Sequence, residues 1–266
     1  MRFVIIGGGP AGNQAATHAA RLGVEVTLIE RDVVGGAANL WDCIPSKAMI
    51  ATGGALSYLH RIAGMGVERA GGTLDLELLR KRVTAITDNL ERTNTTILAS
   101  QQVELVRGTA TVTGPHTVMA DTADGPRTFE ADALMVSTGS RPRVPDWFNH
   151  DAGRLLTTRD AYPPDVLPEH LVVIGSGVTG VEFVHMFASL GCEVTLIVSR
   201  QQVLPQKDPE VAAVLEADFT RRGVRLLKGA RAVNVDRTEA GVVVRCDDGR
   251  VAAGSHALLA IGSVPN

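Results

Sequence analysis

The chain has only three cysteines, Cys43, Cys192 and Cys246, an odd number lying far apart in 266 residues. That usage excludes a disulfide framework and zinc-type spacing, and it suits a reducing compartment. There is no basic block and the formal net charge is −3, so nothing here draws nucleic acid or an anionic membrane. No apolar run is long enough to span a bilayer, and the opening MRFVIIGGG reads as a strand entering a glycine loop, not as a signal peptide. The seven histidines show no metal-binding spacing, so no metal is expected. The expectation is a cytoplasmic protein with no membrane insertion and no nucleic-acid partner, long enough for about two domains.

What is present is one module written twice. Gly7, Gly9 and Gly12 in VIIGGGPAGNQA recur as Gly175, Gly177 and Gly180 in VVIGSGVTGVEF, 168 positions later (175 − 7). At the same offset RLGVEVTLIE, ending at Glu30, matches SLGCEVTLIV, ending at Val198. A single GxGxxG is weak evidence, but two in register, each between an apolar strand and an amphipathic helix, mark two dinucleotide sites. The first glycine permits the tight turn, the second admits a pyrophosphate, and the third lets helix pack on strand.

The closing turns ALMVSTGSRP and ALLAIGSVPN lie 123 apart (262 − 139), so the first copy carries 45 residues more (168 − 123). Most of these fall between Pro45 and Ser100, where Leu76, Leu79, Val83, Ile86 and Leu90 predict a helix with one buried stripe. Asp124-Gly125 and Asp248-Gly249 predict hairpin turns. The proline-containing stretch from Arg141 to His170 reads as an interdomain linker. The predicted class is α/β: two Rossmann-like domains, 1–150 and 151–266, each a parallel sheet with helices and a small antiparallel meander.

The copies differ at the end of the second strand. Glu30 suits ribose hydroxyls and repels a 2′-phosphate, as for FAD. The second copy has Val198, Ser199 and Arg200 there, which favours NADPH or acceptance of both NADPH and NADH; the plainer reading makes Arg200 a solvated loop residue.

The segment GGAANLWDCIPSK, Gly35 to Lys47, resembles the redox segment GGxCxxxxCxPSK of the flavoprotein disulfide reductases. TGSRP at Thr138, VEF after the second glycine loop and the terminal AIGSVPN extend the resemblance over the whole chain. It looks closest to the lipoamide dehydrogenase-like NAD(P)H:quinone reductase branch of actinobacteria. The resemblance implies FAD contacts at Gly7, Gly9, Pro10, Ala11, Gly12, Glu30, Arg31, Gly35, Gly36, Ala37, Lys47, Ala110, Thr138, Gly139 and Ser140. It implies NAD(P)H contacts at Gly175, Ser176, Gly177, Val178, Thr179, Gly180, Glu182, Val198, Ser199, Arg200 and Gly262. Lys47 is expected near flavin N5, paired with Glu182; without the motifs the two are merely charged groups on helices.

One departure bears on function. Ala38 stands where the family has its first cysteine, and only the flavin-proximal Cys43 remains. A dithiol relay needs one thiolate to attack and a second to resolve. Cys43 is then either a tuner of the flavin or a packing residue. The expectation is an FAD-dependent NAD(P)H oxidoreductase serving a small-molecule acceptor, a quinone or dye. The alternatives are a dihydrolipoyl dehydrogenase-type disulfide reductase and a catalytically silent nucleotide-binding module. Family members continue past IGxxPN into FAD-completing and dimerisation regions, so a fragment of a homodimeric protein is expected.

Overall fold

The segment RFVII, which ends in three β-branched residues, forms β1 (Arg2–Ile6), an inner strand of the first sheet. The computed structural model to which it belongs describes residues 1–65 and 72–266. Alternate residues of β1 feed two cores: Val4 and Ile6 pack with Val106, Val118 and Ala120, while Ile5 packs with Ala16, Leu28 and Leu98. A strand covered on both faces reads as continuous apolar sequence, and each such side chain contributes about 1.5–3 kcal/mol by burial.

Helix α1 (Pro10–Arg21) follows, with proline in its first turn, then β2 (Glu25–Glu30), parallel to β1 with Arg2 opposite Glu25. Helices α2 (Ile44–Arg61) and α3 (Leu76–Ser100) fill the expected insertion. Leu79 and Val83 are buried on α3 and Leu76, Ile86 and Leu90 half-buried, the predicted stripe. After β3 (Glu104–Arg107) come the antiparallel β4 (Thr109–Gly114), β5 (Thr117–Thr122) and β6 (Gly125–Glu130), with Gly125 at the predicted hairpin. Strands β7 (Ala133–Val136) and β8 (Ser140–Pro142) close the copy. The parallel sheet has the order β3-β2-β1-β7.

The second copy contains β9 (Leu155–Thr157), β10 (His170–Ile174), α4 (Val178–Ser189), β11 (Glu193–Val198), α5 (Pro209–Arg221) and β12 (Arg225–Lys228). The meander β13 (Ala232–Arg237), β14 (Val242–Cys246) and β15 (Val251–Gly254) precedes β16 (His256–Leu259) and β17 (Ser263–Pro265). Its parallel sheet has the order β12-β11-β10-β16-β9.

The stretch read as a linker contains a short strand of the second sheet. Leu155 to Thr157 are all buried and pair in parallel with Ala257 to Leu259. Three apolar residues among prolines are too few to show strand periodicity, and the pairing that makes them a strand lies about a hundred residues away.

By their contacts the residues group into two units, Met1–Pro45 with Arg82–Arg141 and Pro265–Asn266, and Ser46–Lys81 with Pro142–Val264. Among the described residues no helix is long and apolar enough to cross a membrane.

Candidate functional site: two nucleotide cradles

Each glycine loop turns the chain from the central strand into a helix. Gly7 and Gly175 sit at φ of +102° and +110°, and a Cβ on either would strike the backbone of the neighbouring strand's exit, at Ser137 and Ala260. A Cβ on Gly12 or Gly180 would overlap the carbonyl of Gly7 or Gly175, so these two allow the helix to approach its own strand. Gly9 and Gly177 face open space. They are also the N-cap residues of α1 and α4, and no side chain caps either helix. The first-turn N–H groups and the positive end of each helix dipole are thus presented to an anion, with no side chain in the way. Pro10, Ala11, Val178 and Thr179 lie exposed on those first turns. This arrangement fits a dinucleotide pyrophosphate in both units.

In the first unit Glu30 is buried, and its carboxylate is built into the loop. Oε2 accepts from the Gly8 N–H and Oε1 from the Asp32 N–H, both at 2.7 Å. The Gly35 N–H donates to the Gly8 carbonyl at 2.8 Å, so the segment that follows β2 is fastened to the glycine loop. Arg31 is exposed and ion-paired with Asp32 at 3.5 Å. A turn of π-helix, Ala38–Asp42, comes next, and the Cys43 N–H closes it on the Ala38 carbonyl. Ala38 thus stands one π turn before Cys43, whose side chain is exposed. Asn39, which the motif leaves unspecified, is buried and donates to the Val34 carbonyl at 3.2 Å.

Elsewhere in this unit, the Thr138 and Gly139 carbonyls accept from the side chain and N–H of Asn266, at 2.8 and 3.0 Å. Ala110 is half-buried against the core. Ser137 escaped the sequence reading: its hydroxyl donates to the Gly7 carbonyl at 2.8 Å and steadies the turn. A serine beside a TGSRP turn gives no signal by itself.

In the second unit Lys47 on α2 donates to both carboxylate oxygens of Glu182 on α4, at 3.1 Å each. Gly53, farther along α2, lies where a Cβ would press on Ser189 of α4, so the two helices approach closely there. The lysine and glutamate remain 56% and 37% exposed, open to a ligand. Val198 is fully buried, whereas Ser199 and Arg200 are exposed. The Arg200 carbonyl accepts from the Gly229 N–H at 2.9 Å, which fixes the backbone of this exposed residue. Ser176 is buried, and its carbonyl accepts from Leu204 at 2.8 Å. Gly262 is exposed at φ +94°.

Cys192 and Cys246 are buried, and no cysteine is in a disulfide. Burial pushes the Cys192 thiol up to about 12. Burial, together with Asp248, also raises Cys246. Neither presents a thiolate near neutral pH.

The model of the pyridine nucleotide-disulphide oxidoreductase family matches residues 1–266. The chain is 43% identical over 277 aligned positions to a Mycobacterium tuberculosis NAD(P)H dehydrogenase (quinone), covering 100% of this chain and 56% of that protein. It is 32% identical to a Zymomonas mobilis dihydrolipoyl dehydrogenase, covering 99% of this chain and 58% of that one. The crystal structure of LpdA from M. tuberculosis superposes with a TM-score of 0.92 at 43% identity, over 100% of this chain and 59% of that one. The chain thus spans somewhat more than half the length of these relatives. With two glycine cradles on duplicated sheets, and that match along its whole length, the chain belongs to the pyridine nucleotide-disulphide oxidoreductase family.

Proposed function

We propose that the chain is the nucleotide-binding part of an FAD-dependent NAD(P)H dehydrogenase that serves a quinone-like acceptor without a redox-active dithiol. Residues 1–150 would carry FAD and residues 151–266 NAD(P)H, in a cytoplasmic protein that is homodimeric when full-length. The observation that carries the reading is Ala38, one π turn before an exposed Cys43, while both remaining thiols are buried.

Each residue has a definable task. The uncapped N-termini of α1 and α4 hold the two pyrophosphates. Glu30 spends one lone pair of each oxygen on Gly8 and Asp32, which leaves others for the adenosine ribose hydroxyls while its charge opposes a 2′-phosphate. Arg200 and Ser199 offer a cation and a hydroxyl to a 2′-phosphate, a charged contact worth about 1.5–3 kcal/mol. Lys47, kept in place by Glu182, would supply a fixed positive charge to bound FAD and favour negative charge on it. FAD, when bound, supplies the chemistry that takes hydride from NAD(P)H and releases electrons to the acceptor. Cys43 tunes the flavin or packs beside it, and no step requires its sulfur.

The test uses the full-length protein. Quinones and dyes should be reduced by NAD(P)H, lipoamide and glutathione disulfide should not, and Cys43→Ser should keep most quinone turnover. Vigorous disulfide reduction that Cys43→Ser abolishes would favour the dihydrolipoyl dehydrogenase reading instead.

A further inference from the structure

In both units the loop after the second strand is tied down from the end of the third. Glu30 on β2 lies opposite Arg107 on β3, and Val198 on β11 lies opposite Lys228 on β12. Arg107 donates to the Asp32 carbonyl and to the Glu91 carboxylate on α3, both at 2.6 Å. Asp32 in turn donates its N–H to Glu30. In the second unit Lys228 is held by Oε2 of Glu216 on α5 at 2.7 Å, while Oε1 of the same carboxylate accepts from the Val203 N–H at 2.9 Å. The next residue, Leu204, is held at φ +49°, a left-handed conformation that a leucine rarely adopts, and its N–H reaches the Ser176 carbonyl in the glycine loop.

The same device therefore appears twice. The helix before the third strand supplies a glutamate, the third strand ends in a cation, and the pair grips the backbone of the loop that meets the ribose. Only the wiring differs, since the cation grips the loop in the first unit and the glutamate in the second. In both pairs the cation is the more exposed member and the glutamate is partly buried. An ion pair reached by solvent adds little to stability, so the effect proposed is preorganisation of what the pair holds.

The geometry points to Glu91–Arg107 and Glu216–Lys228 as duplicated positioning pairs that set the adenosine-ribose determinant of each nucleotide site. The first pair acts on Glu30 through Asp32. The second brackets the Ser199–Arg200 turn: Glu216 holds Val203 just after it, and Gly229, next to Lys228, donates its N–H to the Arg200 carbonyl. Which nucleotide each site takes rests on the function proposed above; the loop-holding role does not.

The experiment follows amide hydrogen exchange in the ligand-free 266-residue chain and calorimetric binding of 2′,5′-ADP, 5′-AMP and FAD. Glu216→Ala should expose the Val203 and Leu204 amides to exchange and weaken 2′,5′-ADP roughly three- to ten-fold. Glu216→Gln keeps an oxygen for Val203 and should retain most of the protection. Arg107→Met should expose the Asp32 amide and weaken FAD with little effect on 2′,5′-ADP. Glu77→Ala, which breaks a surface ion pair within α3, should change none of these readings. Unchanged exchange at Val203 and Leu204 in Glu216→Ala overturns the proposal, as does full 2′,5′-ADP discrimination in Glu216→Ala when Arg200→Ala has lost it. A wild-type chain that binds 2′,5′-ADP and 5′-AMP alike refutes the NADPH reading, and the exchange data then decide the positioning role alone.

Discussion

The two copies share a backbone and differ in what satisfies the glycine loop. In each, a residue of positive φ after the second strand donates its N–H to the carbonyl of the loop's second residue, Gly35 to Gly8 and Leu204 to Ser176, both at 2.8 Å. The first copy adds a carboxylate, Glu30, that also holds the Gly8 and Asp32 N–H groups. The second has Val198 in that place, fully buried, and fastens its loop from α5 instead. One fold thus ends its second strand on a loop-bonded carboxylate in one unit and on a buried valine in the other. Anchoring by a carboxylate brings a charge to the loop that anchoring from a distant helix does not, and the nucleotide preference proposed above rests on that difference.

The copies also differ in sulfur, and here the expected contrast is largest. A thiol reagent at neutral pH should modify Cys43 in the native chain orders of magnitude faster than Cys192 or Cys246, because Cys43 is exposed while burial seals the other two thiols and raises their pKa. Cys43→Ser should abolish the fast phase. Rapid modification of two thiols, read by mass spectrometry, would mean that the second unit is not thiol-silent.

The third glycines should be equally intolerant in both copies. Gly12→Ala and Gly180→Ala each drive a Cβ into a carbonyl of the preceding turn, and overpacking of this kind costs about 1–3 kcal/mol. By contrast, Gly9→Ala and Gly177→Ala meet open space, so they should leave the melting temperature nearly unchanged while weakening FAD and NAD(P)H respectively. Equal melting losses at all four positions would break the division between packing glycines and ligand-facing ones.

A smaller effect separates the ribose ends. Arg200→Ala should raise the KM for NADPH by about ten-fold and leave NADH little changed, in line with one charged contact. Val198→Glu, which copies the first unit, should shift preference towards NADH. Identical NADPH-to-NADH ratios in wild type and Arg200→Ala would remove the phosphate role.

The smallest difference concerns pH. Burial and then Arg222 lower the pKa of His185, and burial and then Arg154 lower that of His256; both residues belong to the second unit. Arg222 also donates to Nδ1 of His185 at 3.0 Å, which fits a neutral ring. Both histidines are neutral above about 6.5 in either state; below it the unfolded chain binds protons that the folded chain resists. Stability contributed by these rings is therefore present above that pH and lost as pH falls. Chemical denaturation from pH 7.5 to 5.5 should show this loss, and His185→Gln should lessen it. A slope unaltered by His185→Gln would assign the loss to other groups.

Much of this architecture was legible in local pattern. The glycine spacing placed both turns, the three- and four-residue steps placed the buried face of α3, and Asp-Gly pairs placed the hairpins. The Lys47 and Glu182 assignment came from the family segment, and the structure brings the two side chains together. What escaped was non-local. Strand β9 exists because Leu155 to Thr157 find an open edge on β16, and nothing in their own neighbourhood marks them. Glu91 and Glu216 read as ordinary helix glutamates, since the cations they hold lie 16 and 12 positions away, across a turn of chain whose path the pattern does not specify.

By itself the sequence determined that one strand–loop–helix module is repeated, where each glycine turn lies, which second strand ends in a carboxylate, and that an alanine stands at position 38. These follow from residue type and spacing, because turns, helix starts and charges are properties of neighbouring residues. Only the tertiary structure decided that Glu30 is a structural member of its loop, that Leu204 is held in a left-handed conformation, and that Cys192 and Cys246 are sealed away. Each of these depends on hydrogen bonds or burial supplied by segments distant along the chain, and they form only when the sheets and helices have closed around them.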